Sequence, residues 1–370
     1  MKHLDEYRDL RLSEGVARKI HAISSRKVSF MEFCGGHTVT IVRYGIESLL
    51  PERVRLLSGP GCPVCVTPME LIDTLIALAA QPGITVASYG DMIRVPGSRS
   101  SLALERSRGA DVRIVYSSYD AVEIACREPE RQVVFFGIGF ETTAPATAAA
   151  VLRARELDLD NFTVISAHKT TPGIIKALLD TDELKLDGII CPGHVSVITG
   201  TKPFIYAAEE RGVPCVITGF EPLDVLQSVL MLVEQVEQGR SEVEIQYRRG
   251  VRPGGNARAR RIMDEVFEST ESNWRGIGVV PGTGLALRPE FRRWDALERF
   301  QVEVPETIEP PGCICGRILR GAASPSDCPL YSKRCTPSSP IGACMVSSEG
   351  ACQAHYNWKK SADSRKQLTP

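Results

Sequence analysis

Cysteines are the side chains most able to do chemistry in this 370-residue chain, which contains twelve of them. Two stand in the stretch "GPGCPVC", where Cys62 and Cys65 occupy a turn rich in proline and glycine. A C-x-x-C pair at a turn before a helix is typical of reactive thiols. A zinc knuckle needs two further ligands at matching spacing, and no second C-x-x-C occurs. We therefore favour a redox dithiol or a transient metal contact over zinc.

The densest group of cysteines lies near the end of the chain, where the composition changes to Cys, Pro, Ser and Gly. Its members are Cys313, Cys315, Cys328, Cys335, Cys344 and Cys352. So polar a stretch cannot fold on an apolar core alone, so a metal or cross-links must organise it. The spacing matches neither common ferredoxin pattern. An iron–sulfur cluster needs four thiolates, and structural zinc stays an alternative.

The stretch "FCGGHT" places Cys34 and His37 where a strand gives way to a helix. The glycines allow close approach of a ligand to the backbone, and a helix start lowers the pKa of a thiol. This pattern predicts a metal-binding or attacking thiolate. A buried, inert cysteine beside a capping histidine is the alternative.

Further polar side chains follow the predicted strands. They are Asp91 and Arg94 in "GDMIRVPGS", Glu141 and Thr142 in "GFETTAP", His168 and Lys169 in "AHKTTP", and Cys191 and His194 in "CPGHVS". Simpler interpretations exist for each kind: a loop-shaping ion pair, an ordinary helix cap at Glu141, or a structural histidine. Cys126 and Cys215 are assigned to packing.

The bulk composition excludes several classes of protein. The chain is 43% hydrophobic and 24% charged with a net charge of −1, so neither nucleic acid nor an anionic membrane is indicated as a partner. The charged N-terminus lacks the apolar region of a signal peptide, and no apolar stretch approaches the roughly 20 residues that span a bilayer. We expect a soluble cytoplasmic protein.

Short apolar runs alternate with helical patterns over residues 28–285, which predicts an α/β protein with parallel sheets. The predicted strands are "KVSFMEFC", "RVRLLSG", "ITVASYG", "VRIVYSS", "QVVFFGIG", "FTVISAH", "LDGIICPGH", "PCVITGF" and "GIGVVPG". Nine strands exceed one comfortable sheet, so two similar lobes around a cleft are expected. The predicted domains are 1–150, 151–305 and a cysteine-rich domain at 306–370, on which roughly the first 25 residues could pack. Because ligands bind at the carboxyl ends of parallel strands, the reactive residues should face that cleft.

Taken in order, these motifs resemble the HypD family of maturation proteins for nickel–iron hydrogenases. The matching segments are "FCGGHT", "SGPGCPVCVTP", "GDMIRVPGS", "GADVRIVYSSYDAV", "GFETTAPATA", "PGHVSVITG", "ITGFEPLDVL" and the tail from "CICGRILRG" to "SSEGAC". They cover nearly the whole chain, from about residue 30 to 356. The resemblance implies two α/β lobes and a third domain that bears a [4Fe-4S] cluster.

The resemblance also implies a metallocentre assembly scaffold with redox activity rather than a conventional turnover enzyme. With a small HypC-type chaperone, such a scaffold holds iron while cyanide and carbon monoxide are added. The cyanide comes from a HypE-type protein that works with a HypF-type carbamoyltransferase. The finished Fe(CN)₂CO unit then passes to the hydrogenase large subunit.

Carried across by residue, Cys34 is implied to be the thiolate on the iron, with His37 tuning the site. Cys62 and Cys65 are implied to be a redox dithiol beside it. Glu141, Thr142, Asp91, Arg94 and His194 belong to the cleft wall. The implied cluster ligands are Cys313, Cys328, Cys335 and Cys352, and Cys315 with Cys344 forms a second dithiol. That makes a cluster-linked relay resembling ferredoxin–thioredoxin reductase.

One position departs from the family motif, which usually reads C-G-x-H-x-H. Val39 replaces the second histidine, and valine can neither ligate iron nor donate a hydrogen bond. Two other functions are also compatible with these residues. The same cysteines would serve an iron–sulfur thiol–disulfide oxidoreductase, and a small-molecule enzyme with a structural zinc tail is the third possibility.

Overall fold

The computed structural model describes residues 5–181, 185–304 and 306–366, with side chains as far as residue 358. It confirms the predicted α/β class. The described strands are β1 (Val28–Glu32), β2 (Val54–Ser58), β3 (Ile84–Ser88), β4 (Asp111–Ile114), β5 (Gln132–Gly139), β6 (Phe162–His168), β7 (Gly188–Pro192), β8 (Cys215–Thr218), β9 (Val243–Ile245), β10 (Phe267–Trp274) and β11 (Gly278–Leu287).

The described α-helices are α1 (Leu10–Ile23), α2 (Gly35–Arg43), α3 (Pro63–Val66), α4 (Met69–Ala79), α5 (Gly90–Ile93), α6 (Leu102–Ser107), α7 (Ser118–Arg127), α8 (Ala144–Glu156), α9 (Thr171–Leu179), α10 (Gly193–Thr199), α11 (Pro222–Glu237), α12 (Ala257–Val266), α13 (Ala296–Arg299), α14 (Cys315–Leu319) and α15 (Ala351–Lys366). Short 3-10 turns cover Asp5–Arg8, Ile46–Leu49, Lys202–Phe204, Pro289–Trp294, Pro325–Asp327 and Ala343–Met345, and a π-helical turn covers Tyr206–Glu210.

Two parallel sheets form two lobes whose chain segments are interleaved. The first lobe holds five strands in the order β2-β1-β7-β8-β9, and the second holds four in the order β4-β3-β5-β6. Residue 150 lies inside α8, and the first lobe takes strands from both sides of it. The sheets therefore do not follow the contiguous split at residue 150 that the sequence suggested, because β1 pairs with β7 across the whole second-lobe insertion.

The segment "GIGVVPG" forms a different kind of strand from the one predicted. It opens β11, which pairs antiparallel with β10 to make a separate two-stranded hairpin. The three residues between these strands are too few for a parallel crossover, so the pairing must be antiparallel. The hairpin lies beside the second lobe, where Lys169 bridges to Gly284.

The ends of the chain pack on the first lobe. Helix α1 packs against α11, so the N-terminal segment does not take the tail as its main support. In the tail, α15 packs against α2, and the turn Ala343–Met345 packs against α3. Among the described residues, no helix has the length and apolar character needed to cross a membrane.

Candidate functional site

Cys34 lies at the N-cap of α2, directly after β1, and is buried. Its Sγ lies 3.6 Å from Nδ1 of His194, which begins α10 after β7. Because β1 and β7 are neighbouring parallel strands, their carboxyl ends bring these two side chains together. The sequence placed both residues at strand ends that face a cleft, and the structure brings these two side chains together.

Burial, rather than the helix start, dominates the acidity of Cys34. Loss of water, together with the charges of Glu349 and Glu32, raises the pKa of the Cys34 thiol well above its usual value. Backbone N–H groups of Gly36 and His37 act in the opposite direction, but they do not prevail. The sequence-based expectation of a lowered pKa for Cys34 is wrong. A bound cation would supply the charge that stabilises the thiolate.

Glu32 is a buried acid that the sequence analysis did not single out. One carboxylate oxygen accepts a hydrogen bond from the Cys34 backbone N–H at 2.7 Å, and the other accepts from the Thr38 hydroxyl. Burial raises the pKa of Glu32 to about 8. An acidic residue inside the apolar run "VSFMEF" could have pointed to this position. The two hydrogen bonds of Glu32 fix the backbone turn that carries Cys34.

His37 is buried on α2 and stacks against Phe220 at 4.9 Å between ring centroids. Its Nε2–H donates to the carbonyl of Gly219 at 3.0 Å, and its Nδ1 has no hydrogen-bond partner among the described residues. Burial lowers the pKa of His37 to about 4, and burial lowers that of His194 likewise to about 4. Both rings are therefore neutral near pH 7.

Cys62 and Cys65 are joined in a disulfide, and their Cα atoms lie 5.3 Å apart. Both are buried, and Cys62 is the N-cap of α3. The preceding loop lies directly against the Cys34 turn: a Cβ placed on Gly61 would lie 2.2 Å from the Cys34 backbone nitrogen. Only glycine allows this approach, so the motif places the disulfide beside Cys34.

Asp91 and Arg94 lie after β3 and connect the second lobe to the tail. They form an ion pair at 3.5 Å, and Arg94 donates a hydrogen bond to the Val346 carbonyl at 3.2 Å. Glu349 packs on α2, where a Cβ on Gly35 would lie 2.4 Å from its carbonyl oxygen. Partial desolvation and the charge of Asp91 raise the pKa of Glu349. Both lobes and the tail therefore meet near Cys34, and the contribution of Glu349 was missed because the tail lacks a periodic pattern.

Glu141 is buried after β5, and its carboxylate bonds to the start of α9 rather than capping its own helix. It accepts hydrogen bonds from the Thr171 backbone N–H at 2.8 Å and from the Thr171 hydroxyl at 3.0 Å. Thr143 is instead the N-cap residue of α8, and Thr142 is half-buried. The interpretation of Glu141 as the cap of the helix that follows it is wrong. Glu141 fixes the position of β6 relative to β5.

We expect Glu141→Gln to change how stability depends on pH. Burial raises the pKa of Glu141 to about 7, so the folded protein keeps a proton that the unfolded chain releases above about pH 4.5. The wild-type free energy of unfolding should therefore lose about 2 kcal/mol between pH 5 and pH 8 relative to the variant. Urea unfolding at four pH values measures this difference. The exposed Glu130→Gln is the matched control, and parallel pH curves for Glu141→Gln and wild type would refute the prediction.

His168 and Lys169 end β6 but turn into the second lobe. His168 Nε2 lies 2.9 Å from the Thr147 hydroxyl. The Lys169 ammonium donates to the Ser272 hydroxyl and the Asn273 carbonyl, both at 2.6 Å, and lies 5.0 Å from the Trp274 ring centroid. The Lys169 contacts attach the β10–β11 hairpin to the sheet, so His168 and Lys169 have structural roles here.

All six tail cysteines line one hollow, together with Leu330, Tyr331 and Met345. The backbone N–H of Ile341 donates to the Cys335 sulfur at 3.3 Å, as is common around metal-bound thiolates. Burial and the nearby cysteine thiols raise the pKa of Cys313 to about 12. Thiols packed this closely would repel one another as thiolates unless a cation lay between them. The donor set and its apolar walls fit a cluster.

The tail thiols do not form a ready-made site for a single metal ion. Over residues 5–181, 185–304 and 306–366, no three Cys, His, Asp or Glu side chains converge closely enough to hold one ion. A closed zinc site requires four ligands directed at one point at about 2.3 Å. The six tail thiols line one shared hollow, and this arrangement alone does not select between zinc and an iron–sulfur cluster.

The remaining cysteines divide between core and surface. Cys191 and Cys215 are buried on neighbouring strands β7 and β8, which confirms the packing assignment of Cys215. Cys126 is exposed on α7, so its assignment to packing is wrong. Its helix turns the residue outward, whereas Ala125 beside it is buried.

Fold and site together define a two-lobed α/β protein with a cysteine-lined tail and a buried thiol where the three parts meet. Residues 11–359 match the family model described as HypD, the hydrogenase formation hypA family, and the chain belongs to this family. It is 50% identical over 378 residues to the hydrogenase maturation factor HypD of Rhizobium leguminosarum bv. viciae, covering 100% of this chain and 98% of the relative.

Other relatives carry the same name. The hydrogenase maturation factor HypD of Azotobacter vinelandii is 48% identical over 365 residues, or 96% of either chain. That of Rhodobacter capsulatus is 44% identical over 370 residues, which covers 97% of this chain and 98% of the relative.

Proposed function

We propose that this protein acts in hydrogenase maturation as the scaffold on which iron acquires cyanide and carbon monoxide ligands. The observation that carries the proposal is Cys34, a buried thiol that faces His194 and touches the loop of the Cys62–Cys65 disulfide. Relatives that match almost the full chain are named hydrogenase maturation factors. A protected thiol beside a redox pair suits the holding and release of a cargo metal.

The iron is the cargo of this scaffold. A thiolate with strong-field diatomic ligands suits low-spin Fe(II). The Cys34 thiolate would supply one ligand, and the described side chains near it do not complete a three-ligand site. The remaining positions are therefore assigned to cyanide, carbon monoxide and a cysteine of a small HypC-type chaperone. His194 and His37, both neutral, would hold or tune the site.

The other partners follow from the same proposal. Cyanide would come from a HypE-type protein supplied by a HypF-type carbamoyltransferase. The Fe(CN)₂CO unit would pass through the chaperone to the hydrogenase large subunit.

The tail would hold a [4Fe-4S] cluster through Cys313, Cys328, Cys335 and Cys352. Such a cluster supplies single electrons at low potential. Cys315 and Cys344, whose thiols hydrogen-bond to each other, are left as a dithiol beside it. They belong to the same buried cluster of side chains as Cys62 and Cys65. That contiguity supports a thiol–disulfide relay from the tail to the Cys34 site.

The same contiguity favours a second candidate, an iron–sulfur thiol–disulfide oxidoreductase resembling ferredoxin–thioredoxin reductase. It would use both cysteine pairs on protein disulfides and would not need Cys34. The burial of Cys62 and Cys65 disfavours it, because a large protein substrate cannot easily reach them. We therefore rank the scaffold first.

The infrared spectrum of the anaerobically purified chain tests this proposal. The chain is co-expressed with the small chaperone and the cyanide-supplying proteins. Cyanide and carbonyl stretching bands on the isolated complex are expected. A spectrum without these bands from a preparation with full cluster content would transfer the preference to the oxidoreductase.

A further inference from the structure

The tip of the β10–β11 hairpin lies between the two cysteine pairs. The hairpin is anchored by Trp274, which is fully buried and donates through its indole N–H to the Thr283 hydroxyl at 2.8 Å. The tip itself spans residues 275–277, between β10 and β11. The sequence analysis did not predict β10.

On one side the tip contacts the disulfide helix α3. The Arg275 backbone N–H donates to the carbonyl of Val66, the residue after Cys65, at 3.0 Å. The Arg275 side chain is buried, with one terminal nitrogen 3.2 Å from the Met69 sulfur. Its Nε has no hydrogen-bond partner in the described ranges and lies 3.4 Å from a carboxylate oxygen of Glu309, a residue whose side chain is 61% exposed.

On the other side the tip contacts α14, the tail helix that begins at Cys315. A Cβ placed on Gly276 would lie 2.2 Å from the Cα of Gly316, so the two backbones are in direct contact. The Arg320 guanidinium donates to the Gly276 carbonyl at 2.7 Å. The turn that carries Cys344 also packs against α3. The tip therefore holds the tail dithiol and the disulfide at a fixed separation.

Burying the Arg275 guanidinium away from water costs free energy. The Glu309 carboxylate offsets only part of that cost, because it is exposed at the surface. Thiol–disulfide exchange between buried cysteines creates one thiolate at each stage, also away from water. Arg275 belongs to the tip that contacts both the disulfide helix and the helix of Cys315, so its fixed cation would stabilise such a thiolate.

We propose that Arg275 is a positioning residue for exchange between the Cys62–Cys65 disulfide and the Cys315/Cys344 dithiol. This inference rests on the relay of the proposed function and names the group that makes the relay possible. The backbone of Arg275 sets the distance between the pairs, and its guanidinium favours the thiolate intermediates.

The exchange takes place in two steps. One tail thiol loses its proton, and its sulfur bonds to one sulfur of the cleft disulfide as the Cys62–Cys65 bond breaks. The released cleft thiolate takes up that proton. The second tail thiol then loses its proton, its sulfur attacks the mixed disulfide, and the other cleft thiolate leaves and is protonated. Two electrons have passed from Cys315 and Cys344 to Cys62 and Cys65.

The test follows this exchange in the cluster-loaded, full-length chain under anaerobic conditions. The tail pair begins reduced and the cleft pair oxidised, and rapid alkylation with mass spectrometry reports the formation of the Cys315–Cys344 disulfide. We expect Arg275→Met to slow exchange at least tenfold and Arg275→Lys to restore most of the rate. Glu309→Gln, a change at an exposed carboxylate, should speed exchange about twofold without affecting folding.

The outcomes separate the two ideas. Exchange at the wild-type rate in Arg275→Met overturns the role of Arg275 while leaving the relay intact. Failure of Arg275→Lys to restore the rate of Arg275→Met also overturns it. If Arg275→Met does not fold, an unchanged rate in Glu309→Gln overturns it instead. Absence of exchange in the wild type overturns the relay itself and this inference with it.

Discussion

Replacing Cys34 by alanine is expected to abolish the cyanide and carbonyl infrared bands of the complex and to leave the tail cluster intact. Cys34 is the thiol assigned to the iron, and alanine offers no ligand in its place. The Cys34 sulfur contacts His194 at 3.6 Å and does not cap α2 through its side chain, so its loss should leave the fold in place. Infrared spectroscopy, iron and sulfide content, and melting temperature are measured on the same sample.

Cys191→Ala is the matched control for this experiment. Cys191 is also a buried free thiol, and it lies on β7, three residues before His194. Its variant should keep the bands. Bands of wild-type intensity in Cys34→Ala would show that Cys34 is not an iron ligand. Loss of hydrogenase maturation in Cys62→Ala alone would then favour the oxidoreductase.

Replacing Cys328 by alanine is expected to remove the tail cluster and to lower the melting temperature by on the order of 5 °C or more. Metal binding and folding are coupled in a segment whose core is made largely of thiols. Iron and sulfide analysis measures the cluster, and the visible absorption of the anaerobic protein should disappear with it.

Cys126→Ala serves as the control because Cys126 is an exposed cysteine outside the tail. Its cluster content and melting temperature should match those of the wild type. Full iron and sulfide retention with unchanged melting in Cys328→Ala would exclude Cys328 as a ligand. Zinc without sulfide in the wild type would reject the cluster.

The sequence predicted strands β1 to β8 and placed Cys34 and His194 at strand ends, because both follow apolar runs that end in glycine-rich turns. Parallel strands end at one edge of a sheet, so such residues meet without knowledge of the detailed packing. The same rule misplaced His168 and Lys169. They also end a strand, but the β10–β11 hairpin covers that edge.

What the sequence could not predict depends on long-range pairing. Strand order in a parallel sheet carries little local signal, so the interleaving of the two lobes was invisible. Glu349 contacts the Cys34 turn from a tail whose sequence has no periodic apolar pattern, so its position could not be predicted. The lowered pKa expected of Cys34 failed for a related reason, since burial depends on everything packed around the helix start.

The interleaved lobes also set the order in which the site can be made during synthesis. A growing chain that has emerged only to residue 187 contains β1 and β2 of the first lobe but lacks β7, β8 and β9. Two parallel strands are too few to be stable alone. Cys34 therefore cannot be enclosed with His194 until the second lobe has been made. A ribosome-bound fragment that ends before β7 would contain Cys34 without the enclosed site.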